Sequence, residues 1–476
     1  MKNIFALVLF GVISIFGSYG NEDTVIPEQY RPAYHFAPPQ NWMNDPNGMV
    51  YHDGKYHLFY QHNPFGTKWG NMSWGHATST DLVHWEYLPV ALRPDSLGTI
   101  FSGSAVVDVN NTAGLQADLL AFFTHDKEGV GQYQSLAYSN DKGMTWTKYA
   151  GNPVLRHSTS RDFRDPKVFW YTPQNKWIMI LAVGQVVEIY SSQNAVSWTF
   201  ESSFGKGYGA HYGVWECPDL FELDGKWVMI INCSRAGSAT GTATQYFVGD
   251  FDGSTFVCDC EPEEEHWLDF GKDHYALVTW SNTGDRHIAI AWMSNWQYAN
   301  DVPTKYFRNA MTVPRELSLR NNRLINYPVK EMDVLQRVQQ HREIVVNSQA
   351  VLENFAMPED LRLEIKNVSA KTIGFKLYND SGDVVDIWID TEAKTLNFDR
   401  TRSGLVDFMR EFFPAVTVAP LANKDTYNLR LLIDNASIEC FENFGEISMT
   451  NLVFPIKPYN NIEFYSKGGE YKVEIK

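Results

Sequence analysis

Three acidic residues, each close to a proline, are the side chains of this 476-residue chain best suited to chemistry. Asp45 lies in Asn41-Trp42-Met43-Asn44-Asp45-Pro46-Asn47-Gly48, Asp165 in Phe163-Arg164-Asp165-Pro166, and Glu216 in Trp215-Glu216-Cys217-Pro218-Asp219. An acetal bond breaks through an oxocarbenium-like transition state. One carboxylate attacks or stabilises that cation, a second gives a proton to the leaving oxygen, and a third can grip sugar hydroxyls. The first two roles need different environments, one ionised and one held neutral. Asp45, flanked by amides and a turn rich in backbone donors, suits the ionised role. Glu216, between Trp215 and Pro218, suits the neutral acid. Asp165, next to the Arg164 cation, is expected to stay ionised and accept hydrogen bonds. Taken singly, each string also reads as a local feature: a turn, an Arg–Asp pair, a solvated loop glutamate. Their joint occurrence is what points to a glycosidase.

Carboxylates so far apart in the chain need a scaffold that brings them together. Strand-like apolar runs start at Tyr56, Leu119, Trp177, Trp227 and His287, which by subtraction is every 63, 58, 50 and 60 residues. A second repeat follows three of them: Ser79-Thr80-Asp81 with Trp85, Ser139-Asn140-Asp141 with Trp146, and Ser192-Gln193-Asn194 with Trp198. Periods of this size in an all-β pattern indicate propeller blades of about four strands. The expected fold is therefore all-β: an N-terminal five-bladed β-propeller over 26–329, then a C-terminal β-sandwich over 343–476. Residues 329–338 are polar with helical spacing and read as a short connecting helix within a linker at 330–342. Beyond it, alternation at 361–365, 384–389 and 429–433 suggests sandwich strands. Loops from different blades are expected to carry the carboxylates into one funnel.

Composition excludes several classes. A formal net charge of −16 argues against nucleic acid and anionic membrane surfaces as partners. Lys2 and the apolar run at 4–16, followed by Gly17, Ser18 and Gly20, read as an export signal over 1–20. That run is shorter than the ~20 residues needed to span a bilayer, so no membrane insertion of the mature chain is expected. Location is read as periplasmic or extracellular. Five cysteines make an odd and sparse set, not a disulfide framework. Cys258-Asp259-Cys260 has no accompanying His cluster, so no metal site is read there, and Cys217 reads as a packed thiol. No cofactor is expected.

With these strings in view, the chain closely resembles the β-fructofuranosidases of glycoside hydrolase family 32, within it the microbial levanase and exo-inulinase group. The resemblance rests on the three acidic strings and on Tyr60-Gln61-His62-Asn63-Pro64, Trp69-Gly70, Trp74-Gly75-His76, Phe101-Ser102-Gly103-Ser104 and Ser294-Asn295-Trp296-Gln297-Tyr298. In the last domain, residues 431–434 and 437–441 resemble the family's sandwich signature, with Cys440 where Val is common. The resemblance implies a five-bladed propeller plus sandwich and retention of configuration. It implies Asp45 as nucleophile, Glu216 as acid/base and Asp165 as transition-state stabiliser. Asn44, Gln61, Trp69, Phe101, Ser102, Arg164 and Trp296 would bind substrate. The expected activity is release of terminal fructose from levan, inulin, fructo-oligosaccharides or sucrose. An endo-acting fructanase, a fructosyltransferase, an inverting arabinosidase or xylosidase and an inactive fructan-binding protein are the alternatives.

Overall fold

The computed structural model describes residues 28–234, 241–336, 341–353, 356–422 and 424–476. The segment read as an export signal lies outside them. Five antiparallel sheets, each with a four-strand core, fill residues 41–328 as the blades of a propeller; the core strands are consecutive in the first four, while in the fifth two short strands intervene. The recurring apolar runs are the second strands of these blades: Lys55–Asn63, Leu119–Lys127, Lys176–Val183, Lys226–Cys233 and Ile288–Met293. Each is buried on both faces for most of its length, which is why it reads as continuous rather than alternating hydrophobicity. The Ser-x-Asp and Ser-x-Asn repeats cap the turns from third to fourth strand in the first three blades. Asp81 Oδ1 accepts from the Val83 and His84 amides at 3.0 and 2.8 Å, and Asn194 Oδ1 accepts from the Ser197 amide at 2.8 Å.

The innermost strands are Asn41–His52, Thr99–Val107, Arg164–Tyr171, Trp215–Leu223 and Tyr275–Thr279. All five shift register in the same place. The shifts fall between Met43 and Pro46, Ile100 and Gly103, Arg164 and Lys167, Glu216 and Asp219, and Tyr275 and Val278. Each step of three residues faces a step of two on the partner strand, the signature of a β-bulge. A bulge leaves a residue unpaired, so Pro166 and Pro218, which lack an amide hydrogen, are tolerated inside strands. The carboxylates therefore sit on bulged strands, not on connecting loops as expected from sequence. The ring closes between the fifth and first blades, where Phe307–Arg308 pairs in parallel with Asn41 and Trp42.

Two six-stranded antiparallel sheets form the sandwich over residues 342–475. Leu361, Leu363 and Ile365 alternate with Arg362, Glu364 and Lys366, burying one face as period-two patterning requires. Strand Ile447–Leu452 lies along the propeller segment that leads into Tyr275. The Phe270 amide donates to Ser448 O at 2.8 Å and the Asp273 amide to Thr450 O at 3.0 Å. Gly271 permits this approach, because a Cβ there would stand 2.1 Å from Thr450 O. The connecting helix of the sequence reading is a 3-10 helix over Lys330–Leu335, with residues 337–340 outside the described set. It is pinned rather than free: Val329 and Met332 are buried, and Glu331 receives Arg286 Nη1 at 2.6 Å. The cysteines include one local bridge, Cys258–Cys260, while Cys217, Cys233 and Cys440 are buried thiols.

Candidate active site

The five bulges face one mouth of the propeller and deliver their side chains to it. Asp45 is part-buried. Its Oδ2 accepts from Ser102 Oγ at 2.7 Å, and its Oδ1 accepts from Asn44 Nδ2 at 3.0 Å. Asn44 is itself fixed, since its Oδ1 accepts from Trp42 Nε1 at 2.7 Å. Asp165 is buried, with a left-handed φ of 64°, and its Oδ2 accepts from the Cys217 amide at 2.9 Å. The Cys217 thiol donates to Asp45 Oδ2 at 3.4 Å. One residue of the fourth blade thus ties the carboxylates of the first and third blades together. Burial, and then the surrounding carboxylates, hold the Cys217 thiol far above its usual range, so it stays a neutral donor.

Glu216 immediately precedes Cys217 in the chain. Its Oε1 accepts from Arg164 Nη2 at 3.0 Å and Nε at 3.3 Å, and its Oε2 accepts from the Tyr275 hydroxyl. Tyr275 stands at the position of the fifth blade that Glu216 holds in the fourth and Arg164 in the third, immediately before the bulge. Burial and the adjacent Glu216 hold its phenol far above the ordinary range, so it too remains a donor.

The electrostatics differ from the sequence reading. Arg164 pairs with Glu216 and with Asp162, at 2.7 Å, while Asp165 is 3.9 Å away. Asp165 is not simply ionised. Burial, opposed by Arg164 and reinforced by Glu216 and Asp45, pushes it up to about 7. Burial also raises Asp45, against the hydrogen bonds from Ser102 and Asn44 and with the charge of Glu216 adding to the rise. Arg164 is divided among Asp162, Asp165 and Glu216, and the enclosed carboxylates Asp45 and Asp165 are the ones that burial and like charge push up. Beneath them, Lys167 Nζ meets Asp219 Oδ2 at 2.9 Å and Thr279 O at 2.8 Å, closing the axis with a balanced pair.

The remaining predicted residues divide by contact. Asn44, Ser102 and Arg164 bond directly to the carboxylates. Gln61 is buried in the second strand of the first blade, opposite the Asn44–Asp45 bulge, and its Nε2 has no hydrogen-bond partner. Trp296 stacks on Trp42 at 5.9 Å between ring centres, and Trp69, 47% exposed, meets Phe101 edge-on at 6.1 Å. These aromatic pairs flank the carboxylates rather than bonding to them. Tyr275, Gln132 and Asp162 were missed. Tyr275 could have been found by aligning the five blades on their bulges.

Comparison with known proteins gives the family of the whole chain. Residues 35–328 match the model for the glycosyl hydrolases family 32 N-terminal domain, and residues 331–476 match that for the family 32 C terminal. A levanase of Bacillus subtilis is 45% identical over 96% of this chain and 71% of its own length. An extracellular exo-inulinase of Aspergillus niger is 37% identical over 93% of each chain. The crystal structure of exo-inulinase from Aspergillus awamori superposes with a TM-score of 0.87 at 35% identity, covering 94% of this chain and 98% of that one. Three carboxylates on three of the five bulged strands, and both halves of the chain matched in order, lead to one conclusion: this protein belongs to glycosyl hydrolase family 32.

Proposed function

We propose that this protein is an exported, retaining β-fructosidase that removes terminal fructosyl units from β-fructans, and from sucrose. Asp45 is the nucleophile, fixed by Ser102 and Asn44 on one side of the mouth. Glu216 is the acid/base. In the free protein its carboxyl accepts from Arg164 and from the Tyr275 hydroxyl. Asp165 accepts from fructose hydroxyls and stabilises the transition state. Gln61, with an unpartnered amide, Trp69, Phe101 and Trp296 complete the fructosyl pocket. Residues 26–329 form the catalytic unit, 330–342 the linker and 343–476 the sandwich unit. The observation that carries this reading is the Cys217 bridge, which sets Asp45 and Asp165 beside Glu216 on one mouth.

Product chromatography after separate incubation with levan, inulin and sucrose tests it. Free fructose alone from a polymer supports exo attack, and the relative rates give the linkage preference. A ladder of oligosaccharides means endo attack. Release of no product from any of the three rejects the proposal.

A further inference from the structure

Arg164 has two working edges. One faces Glu216 through Nε and Nη2, at 3.3 and 3.0 Å. The other faces the rim, where Nη1 donates to Asp162 Oδ1 at 2.7 Å and to Gln132 Oε1 at 3.2 Å. The shortest bond of the guanidinium is therefore to Asp162, not to a carboxylate of the mouth. Gln132 comes from the third strand of the second blade, Gly131–Ser139, and also accepts from the Phe163 amide at 3.0 Å. Asp162 is 44% exposed and Arg164 only 9%, so a solvated carboxylate anchors a buried cation.

We propose that Asp162 is a positioning residue of the reaction: it holds the outer end of the Arg164 guanidinium and shares its charge, so that Glu216 is not locked in its ionised form. This rests on the reading of Glu216 as acid/base. A proton donor must be protonated at working pH, and an undivided ion pair with a guanidinium opposes that. Without the Asp162 charge, the whole cation falls on Glu216 and one like charge is lost. Both changes make Glu216 give up its proton more readily. The other groups facing Glu216 stay in place: Asp45 of the first blade, Asp165 of the third, Cys217 of its own strand, Cys233 of the strand paired with it and Tyr275 of the fifth blade.

The test is the pH profile of kcat/KM on a fructo-oligosaccharide at low salt, for Asp162→Asn, Asp162→Glu and Asp162→Ala, with Glu216→Gln as reference. In Asp162→Asn the alkaline limb, set by the proton on the acid, should move to lower pH by about 0.3–0.5 unit, the size expected of a partly solvated charge two hydrogen bonds away. The shift should shrink in about 0.5 M salt. Asp162→Glu, which keeps the charge, should leave the limb in place. Asp162→Ala should add a several-fold loss in kcat as the guanidinium loses its anchor. Glu216→Gln should be inactive. An unmoved alkaline limb in Asp162→Asn, or one moved to higher pH, with Glu216→Gln inactive, overturns the role of Asp162 alone. An active Glu216→Gln overturns the acid/base reading and this proposal with it.

Discussion

At the propeller mouth, Asp165 and Glu216 share one buried cation, Arg164, and the charge of Asp45 bears on Asp165 beside them. At the propeller–sandwich interface, buried carboxylates are matched. Arg315 donates to Glu439 Oε2 at 2.7 Å and Asp269 Oδ2 at 3.0 Å, and His35 bridges Asp434 at 2.8 Å and Glu439 at 2.9 Å. Burial pushes all these carboxyls up in the same way. At the interface the opposing charges and donors win: Asp269 is held down at about 2, and Asp434 and Glu439 are also lowered. At the mouth burial and mutual repulsion win, and Asp45 and Asp165 are raised. The same residue types thus lock two domains together in one place and hold poorly compensated charge in the other. Perturbed carboxylates at a cleft are the expected mark of a functional site.

The contrast can be broken most severely at the mouth. Asp45→Ala and Glu216→Ala are expected to lower turnover by about 10⁴-fold or more, with the melting curve little changed. Steady-state kinetics beside thermal melting checks this, and near-parental rates in either variant would remove the functional half of the comparison. At the interface the expected effect is on stability. Arg315→Met leaves Asp269 buried without its guanidinium partner and Glu439 with His35 as its remaining ionic partner, at a cost of about 3–5 kcal/mol. Denaturant unfolding measures it, and a parental midpoint would mean that these pairs do not hold the domains together.

Asp165→Asn sharpens the comparison, since it should abolish turnover yet stabilise the fold. The folded-state value of Asp165 is raised from 3.8 to about 7. Its contribution is thus present below pH ~4 and is lost as pH rises through about 7. The variant should gain about 4 kcal/mol above pH 7, and the gain should vanish below pH 4. Melting across pH 4–8 decides, and an equal gain at both ends contradicts the assignment. The smallest effect is expected at His35. Burial alone would lower it, but hydrogen bonds to Asp434 and Glu439 carry it from 6.5 up to about 9. Its contribution is complete below pH 6.5 and lost as pH rises through about 9, about 3 kcal/mol. His35→Gln should flatten stability between pH 7 and 9, and a slope unchanged from the parent would count against the bridge.

Much of this was legible without coordinates, for identifiable reasons. The second strands of the blades are buried on both faces, so their apolar runs repeat visibly along the chain. Asp45-Pro46 and Asp165-Pro166 are short strings, and Glu216 lies two residues before Pro218. Each string marks a bulge, where proline can sit inside a strand. The environments of the carboxylates were misjudged from their neighbours in sequence. Trp215 beside Glu216 is directed into the core against Phe247 and His211, while the residue that meets Glu216 from the fifth blade is Tyr275.

Residue types and spacing alone determined the all-β class, the five-fold repeat and the three carboxylates, because burial pattern and proline placement are properties of short segments. Only the tertiary structure decided which cation meets which carboxylate, and that Cys217 joins Asp45 to Asp165. It also decided that His35 locks to Asp434, 399 residues away. Charge pairing depends on distance in space and on exclusion of water, and the closing of the propeller ring and the docking of the sandwich set both.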